Sequence, residues 1–158
     1  MSGAPRLDSL YRDVGAALHT AQIAEYTVVS IYLLLIRTGP VEKAKERLDS
    51  YWHKKALGQL LDPVLDSGLL SDDAARFLET FRNARNHLAH SFFLSDAAVQ
   101  STDGVARLSR EVAAMQEVFE RALQFFDHLL SELARPLGID VDEVKAQARA
   151  EVAPSTGD

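Results

Sequence analysis

The residues able to do chemistry crowd into one run, Arg85-Asn86-His87-Leu88-Ala89-His90, within the stretch from Phe77 to Phe93. Imidazole is the side chain that changes charge near neutral pH, so His90 can serve as general acid or base. The forked guanidinium of Arg85 can hold an anionic oxygen bidentately, and Asn86 can orient either the histidine or the anion. On an ideal helix Phe77, Leu78, Phe81, Leu88, Ala89 and Phe92 share one apolar side, with Asn83, Asn86, His87 and His90 in a polar stripe opposite. Arg85 falls in the middle of the apolar side. A guanidinium cannot shed its charge, so burying it requires an anion beside it or a polar cavity around it.

The element expected to supply that anion comes first in the chain. Leu7 to about Arg37 reads as one long helix, with Leu10, Val14, Leu18, Ala21, Glu25, Val28, Tyr32 and Leu35 recurring at spacings of three and four. Glu25 stands on this stripe where an apolar residue belongs, which makes it the expected partner of Arg85. Thr38-Gly39-Pro40 ends the helix. A charged helix is expected from Val41 to about Lys55, then a shorter apolar one from Ala56 to Leu65 that Pro63 bends or interrupts. Ser71 is placed to cap the helix carrying the motif, with Asp72 and Asp73 favoured by its dipole. Ser95 to Gly104 reads as a loop, Val105 to Leu133 as a second long helix closed by Pro136 and Gly138, and Asp140 as the cap of a last short helix. No strand-like alternation occurs. The expected fold is all-α, an antiparallel bundle of long helices with short accessory helices, in a single domain over 1–153 followed by a flexible tail at 154–158.

Composition narrows the function classes. The 158 residues carry a formal charge of −6, 47% apolar residues and no cysteine. This excludes a disulfide framework and thiolate catalysis and disfavours non-specific coating of nucleic acid. The charge is uneven: Arg37 to Lys55 has six basic residues against three acidic, and Asp127 to Asp158 has seven acidic against three basic. Each stretch reads as a solvated helix face or, for the first, as a basic patch beside a polyanion site. The N-terminus lacks a secretory pattern, and the apolar run Ile23–Ile36 is shorter than the roughly 20 residues a bilayer needs. A cytoplasmic protein without a membrane span is expected. No metal-ligand spacing and no glycine-rich phosphate loop is present, so no cofactor is expected.

An Arg-x4-His pair alone would occur by chance in roughly one chain in three, and requiring Asn after the arginine reduces this to about one or two in a hundred. Arg85-Asn86-x-Leu88-Ala89-His90-x-Phe92 resembles the motif of HEPN domains, all-helical domains with an Arg-polar-x3-His pattern. The likeness is specific over about ten residues and is supported loosely by the helix order from Leu7 to Leu133. It implies a metal-independent ribonuclease acting as a homodimer, of the kind found in toxin–antitoxin and phage-defence systems, with RNA as substrate and an antitoxin as a further partner. Metal-free RNA cleavage needs a deprotonated 2′-hydroxyl, a stabilised phosphorane and a protonated leaving 5′-oxygen. Arg85, Asn86 and His90 are the catalytic set that the resemblance implies. A second copy, Arg82-Asn83-x3-His87, overlaps it three residues earlier. Phe92 stands where one toxin subgroup carries a tyrosine that a partner enzyme modifies, so that mode of silencing cannot operate at this position.

Other readings stay open on the same residues. His87 or His90 can be a helix C-terminal histidine interacting with the dipole, and Arg85–Glu25 a structural pair fixing helix register. The order of a leucine-rich helix, Gly68-Leu69-Leu70 and Arg-Asn-x2-Ala-His also resembles the mannitol-operon repressor family, which implies a helical regulatory module without enzymatic activity. Phe81, Leu88, Phe92 and Phe93 are expected to offer more apolar surface than one bundle face needs, hence a dimer with facing motifs.

Overall fold

The computed structural model describes residues 6–38, 42–54, 57–66, 68, 70–93 and 99–152. The principal helices are α1 (Leu7–Thr38), α2 (Glu42–Lys54), α3 (Gly58–Asp66), α4 (Asp72–His90), α5 (Thr102–Ala134) and α6 (Val141–Val152). A short 3₁₀ turn, Arg135–Leu137, joins the last two. No strand occurs among the described residues. The architecture is an all-α bundle of long helices with short accessory ones. Gly39-Pro40, residues 95–98 of the expected Ser95–Gly104 loop and the tail at 154–158 lie outside the described residues.

The long helices form because their apolar residues keep helical spacing along one face. On α1, Leu10, Val14, Ala17, Ala21, Val28 and Tyr32 are buried, whereas Leu35 reaches the surface. On α5 the buried set is Val105, Leu108, Val112, Met115, Phe119, Ala122, Phe126 and Leu130. By length and composition α1 could cross a membrane, but 61% of its most apolar window is buried inside the bundle.

Cross-helix pairs set the directions. Thr20 of α1 accepts from Gln116 of α5 at 3.1 Å. Nearer the start of both helices Asp13 lies by Ser109, and further along Ile23 lies by Leu123. The two longest helices therefore run the same way. The antiparallel packing comes from α4 and α6. Phe77 meets Phe125, Phe81 meets Phe119, and His87 meets Glu111, so α4 descends as α5 ascends. Gly138, at φ +62°, reverses the chain after the 3₁₀ turn. Helix α6 then lies back along α5 through Lys145–Asp127 at 2.6 Å, and along α1 through Arg37, which meets Gln147 and Glu143.

Local signals held where the backbone decides them. The Ser71 hydroxyl accepts from the Ala74 amide at 3.2 Å, and Asp140 accepts from the Asp142 amide at 2.9 Å. Helix α5 starts three residues before Val105, capped by Ser101, whose hydroxyl accepts from Gly104. Pro63 does not interrupt α3. It forfeits its own amide bond, while Leu60 and Leu61 are fully buried and the Leu60 carbonyl accepts from the Tyr32 hydroxyl at 2.6 Å.

Candidate functional site

Helix α4 ends at His90, and Phe92 is buried in the turn that follows. Of the side expected to be apolar, Leu78, Phe81 and Leu88 are buried, Phe77 is half-buried and Ala89 is exposed. The expected surplus of apolar surface is not there. Phe81, Leu88 and Phe92 serve the chain's own core, and the half-buried Phe93 ring packs on Tyr11 at 5.4 Å.

Arg85 and Glu25 meet directly. The guanidinium donates from Nε to Glu25 Oε1 at 2.5 Å and from Nη2 to Oε2 at 3.4 Å. The carboxylate side chain is 6% exposed and the guanidinium 19%. From α2, the Tyr51 hydroxyl, itself buried, hydrogen-bonds the same carboxylate. Three helices thus converge on one buried charge, and the remaining Arg85 nitrogen, Nη1, donates to Asn86 Oδ1 at 3.3 Å.

The overlapping copy is built differently. Arg82 is held by Asp62 of α3 at 2.5 Å and by Glu79 at 2.6 Å, which ties α3 to α4 and compensates its charge twice. The ring of His87 is held at both nitrogens: Nδ1 lies 2.9 Å from Ser91 Oγ and Nε2 lies 2.7 Å from Glu111 Oε1. The Phe92 ring stands edge-on to it at 6.0 Å. His90 is exposed at the end of α4, with Asn83 and Asn86 exposed along the same side. An open cleft of about 1010 Å³ runs over Arg82, Asn83, Arg85, Asn86, His87 and His90. Its far wall is Leu57, Gly58 and Lys54, the last from the end of α2, and Ser91 closes one side.

All seven residues singled out in the sequence therefore lie at this cleft or, for Glu25, directly behind it. Sequence reasoning did not find Tyr51, Lys54, Ser91 or Glu111. The basic stretch on α2 gave a faint signal for Lys54. Tyr51 and Glu111 had none, because each comes to the site through helix register alone. The basic stretch itself is split: Arg37 turns to α6 while Lys54 turns to the cleft.

Burial pushes the Tyr51 phenol up from its ordinary value of 10.0; the Glu25 charge pushes the same way and Arg85 opposes it. Tyr32 is also raised by burial, against Arg47. In both, folding favours the neutral phenol. Their stabilisation is complete below pH 10.0 and is lost as pH rises through the higher folded values. Alkaline titration followed by phenolate absorbance should therefore show Tyr32 and Tyr51 ionising only with unfolding. Tyr51→Phe should remove amplitude from that late step, and a loss from an earlier step would contradict the assignment.

The arrangement is an all-α bundle presenting an ion-paired arginine, two histidines and two asparagines in one cleft. Comparison with family models, curated proteins and solved structures gives no match for this chain.

Proposed function

We propose that this protein is a metal-independent endoribonuclease of HEPN type, cytoplasmic, acting as a homodimer in a prokaryotic toxin–antitoxin or phage-defence system. The observation that carries the reading is Arg85, seated on buried Glu25 at the floor of a cleft that His90 and Asn86 share. Glu25, itself hydrogen-bonded by Tyr51, holds the guanidinium in place, which is the preorganisation that phosphorane stabilisation requires. His90 removes the 2′-hydroxyl proton, Arg85 receives the non-bridging phosphate oxygens, and Asn86 orients both. A shallow groove of about 470 Å³ that shares Asn83 and His87 with the cleft and is walled by Ala84, Met115 and Val118 offers a face for a second copy.

The test is incubation of the purified protein with labelled RNA in EDTA. Cleavage leaving a 2′,3′-cyclic phosphate is expected, because the nucleophile is the substrate's own hydroxyl. Sedimentation at micromolar concentration should give a dimer. A second reading, a helical regulatory module without catalysis, is favoured by one observation: the Arg85 charge is compensated within the chain by Glu25, as in a register-fixing pair. Absence of cleavage, with a protein or operator DNA bound at the α4 face, would establish that reading instead.

A further inference from the structure

Cleaving RNA without a metal takes two proton transfers, one from the 2′-hydroxyl and one to the leaving 5′-oxygen. His90 supplies one. The second, overlapping motif copy is not an idle duplicate in this fold. Its arginine is spent on Asp62 and Glu79, but its histidine is anchored on both nitrogens and lines the same cleft as His90. Glu111 does not line the cleft; it holds His87 Nε2 from α5. Ser91, which does line it, sits on Nδ1. The Ser91 hydroxyl also donates to the His87 carbonyl at 3.2 Å, which leaves its oxygen free to accept from Nδ1–H. A protonated ring thus donates from both nitrogens, to Glu111 and to Ser91, in a line that ends at the cleft.

We propose that Glu111, His87 and Ser91 form a proton relay that delivers the general acid of the reaction, with Ser91 as the group facing the leaving oxygen. This rests on the ribonuclease reading above. The balance is as follows. The 2′-oxygen bonds to phosphorus as its proton passes to His90, and the phosphorus–5′-oxygen bond breaks. For this the Ser91 hydroxyl turns from the His87 carbonyl, to which it donates at rest, and gives its proton to the departing oxygen, while Ser91 takes the Nδ1 proton of His87. His87 is left neutral, still donating from Nε2 to Glu111, and exchange with water restores both histidines. Glu111 is a positioning residue and touches no reacting atom.

The test compares two substrates of one sequence: an RNA that the wild type cleaves, and the same RNA with sulfur replacing the 5′-oxygen at the cleaved linkage. A thiolate departs without a proton, so the sulfur substrate needs no general acid. His87→Ala and Ser91→Ala should lower cleavage of ordinary RNA about 10²-fold or more and leave the sulfur substrate close to the wild-type rate. His90→Ala should lower both. Glu111→Gln, which keeps the size and one acceptor, should fall between wild type and His87→Ala on ordinary RNA and spare the sulfur substrate, and Ser91→Thr should restore what Ser91→Ala loses. Equal losses on both substrates would make His87 a structural residue and overturn the relay, as would no loss on either. A wild type that cleaves no RNA overturns the ribonuclease reading itself, which is a different result.

Discussion

Arg85→Ala and His90→Ala should each lower RNA cleavage by roughly 10²-fold or more, measured as initial rates with labelled RNA in EDTA. The two losses differ in origin. Removing His90 takes a proton acceptor from an exposed position at the end of α4, and the fold should not notice. Removing Arg85 takes away the donor to the phosphate oxygens and also strands Glu25, so its activity must be normalised to folded protein. Arg82→Ala is the contrasting variant. Its guanidinium is engaged by Asp62 and Glu79, so its loss should loosen α3 against α4 and leave turnover per folded molecule near the parent. If Arg82→Ala abolishes turnover while Arg85→Ala does not, the other register of the motif is the working one.

The largest stability effect is expected at the buried pair. Removing one partner of such a pair costs about 3–5 kcal/mol, because the other charge stays buried and uncompensated. Glu25→Ala leaves the largely buried Arg85 guanidinium without its anion. For a domain of this size that corresponds to a fall in Tm of about 6–20 °C. The double variant Glu25→Met with Arg85→Leu should recover most of the loss, since no lone charge remains and the volumes are kept. Thermal unfolding of the two singles and the double closes a double-mutant cycle. Additive losses would mean that the 2.5 Å contact contributes nothing to stability.

A charge out of place on an apolar stripe was legible in one dimension, and it was informative twice. Glu25 on α1 and Arg85 on α4 are sixty residues apart in sequence, yet each violated its own helix's pattern. The physics of a buried charge then required an opposite one nearby. Tyr51 violated nothing, since an aromatic residue on a helix reads as core, and only its hydroxyl's direction makes it part of the site. Glu111 looked like any solvated acid on α5. It reaches His87 because α4 runs against α5 in the one register that sets Phe81 on Phe119 and Phe126, and that interlock of rings depends on side-chain shape across the interface.

What the chain by itself determined is therefore local and periodic: the helices, the Ser71 and Asp140 caps, and the gathering of Arg85, Asn86, His87 and His90 within two turns. Those follow from backbone hydrogen bonding and from apolar spacing, which act between near neighbours in sequence. Only the tertiary structure decided that α1 and α5 run in the same direction, that Lys54 and Ser91 wall the cleft, and that the two overlapping motif copies have different partners. Asp62 and Glu79 compensate Arg82, Glu25 seats Arg85, and Glu111 takes His87, while no described side chain holds His90. Helices that pack face to face can bring together residues from anywhere in the chain, and which residues meet is set by ridge-into-groove fit. That fit is a property of two surfaces at once, and neither helix's sequence contains it alone.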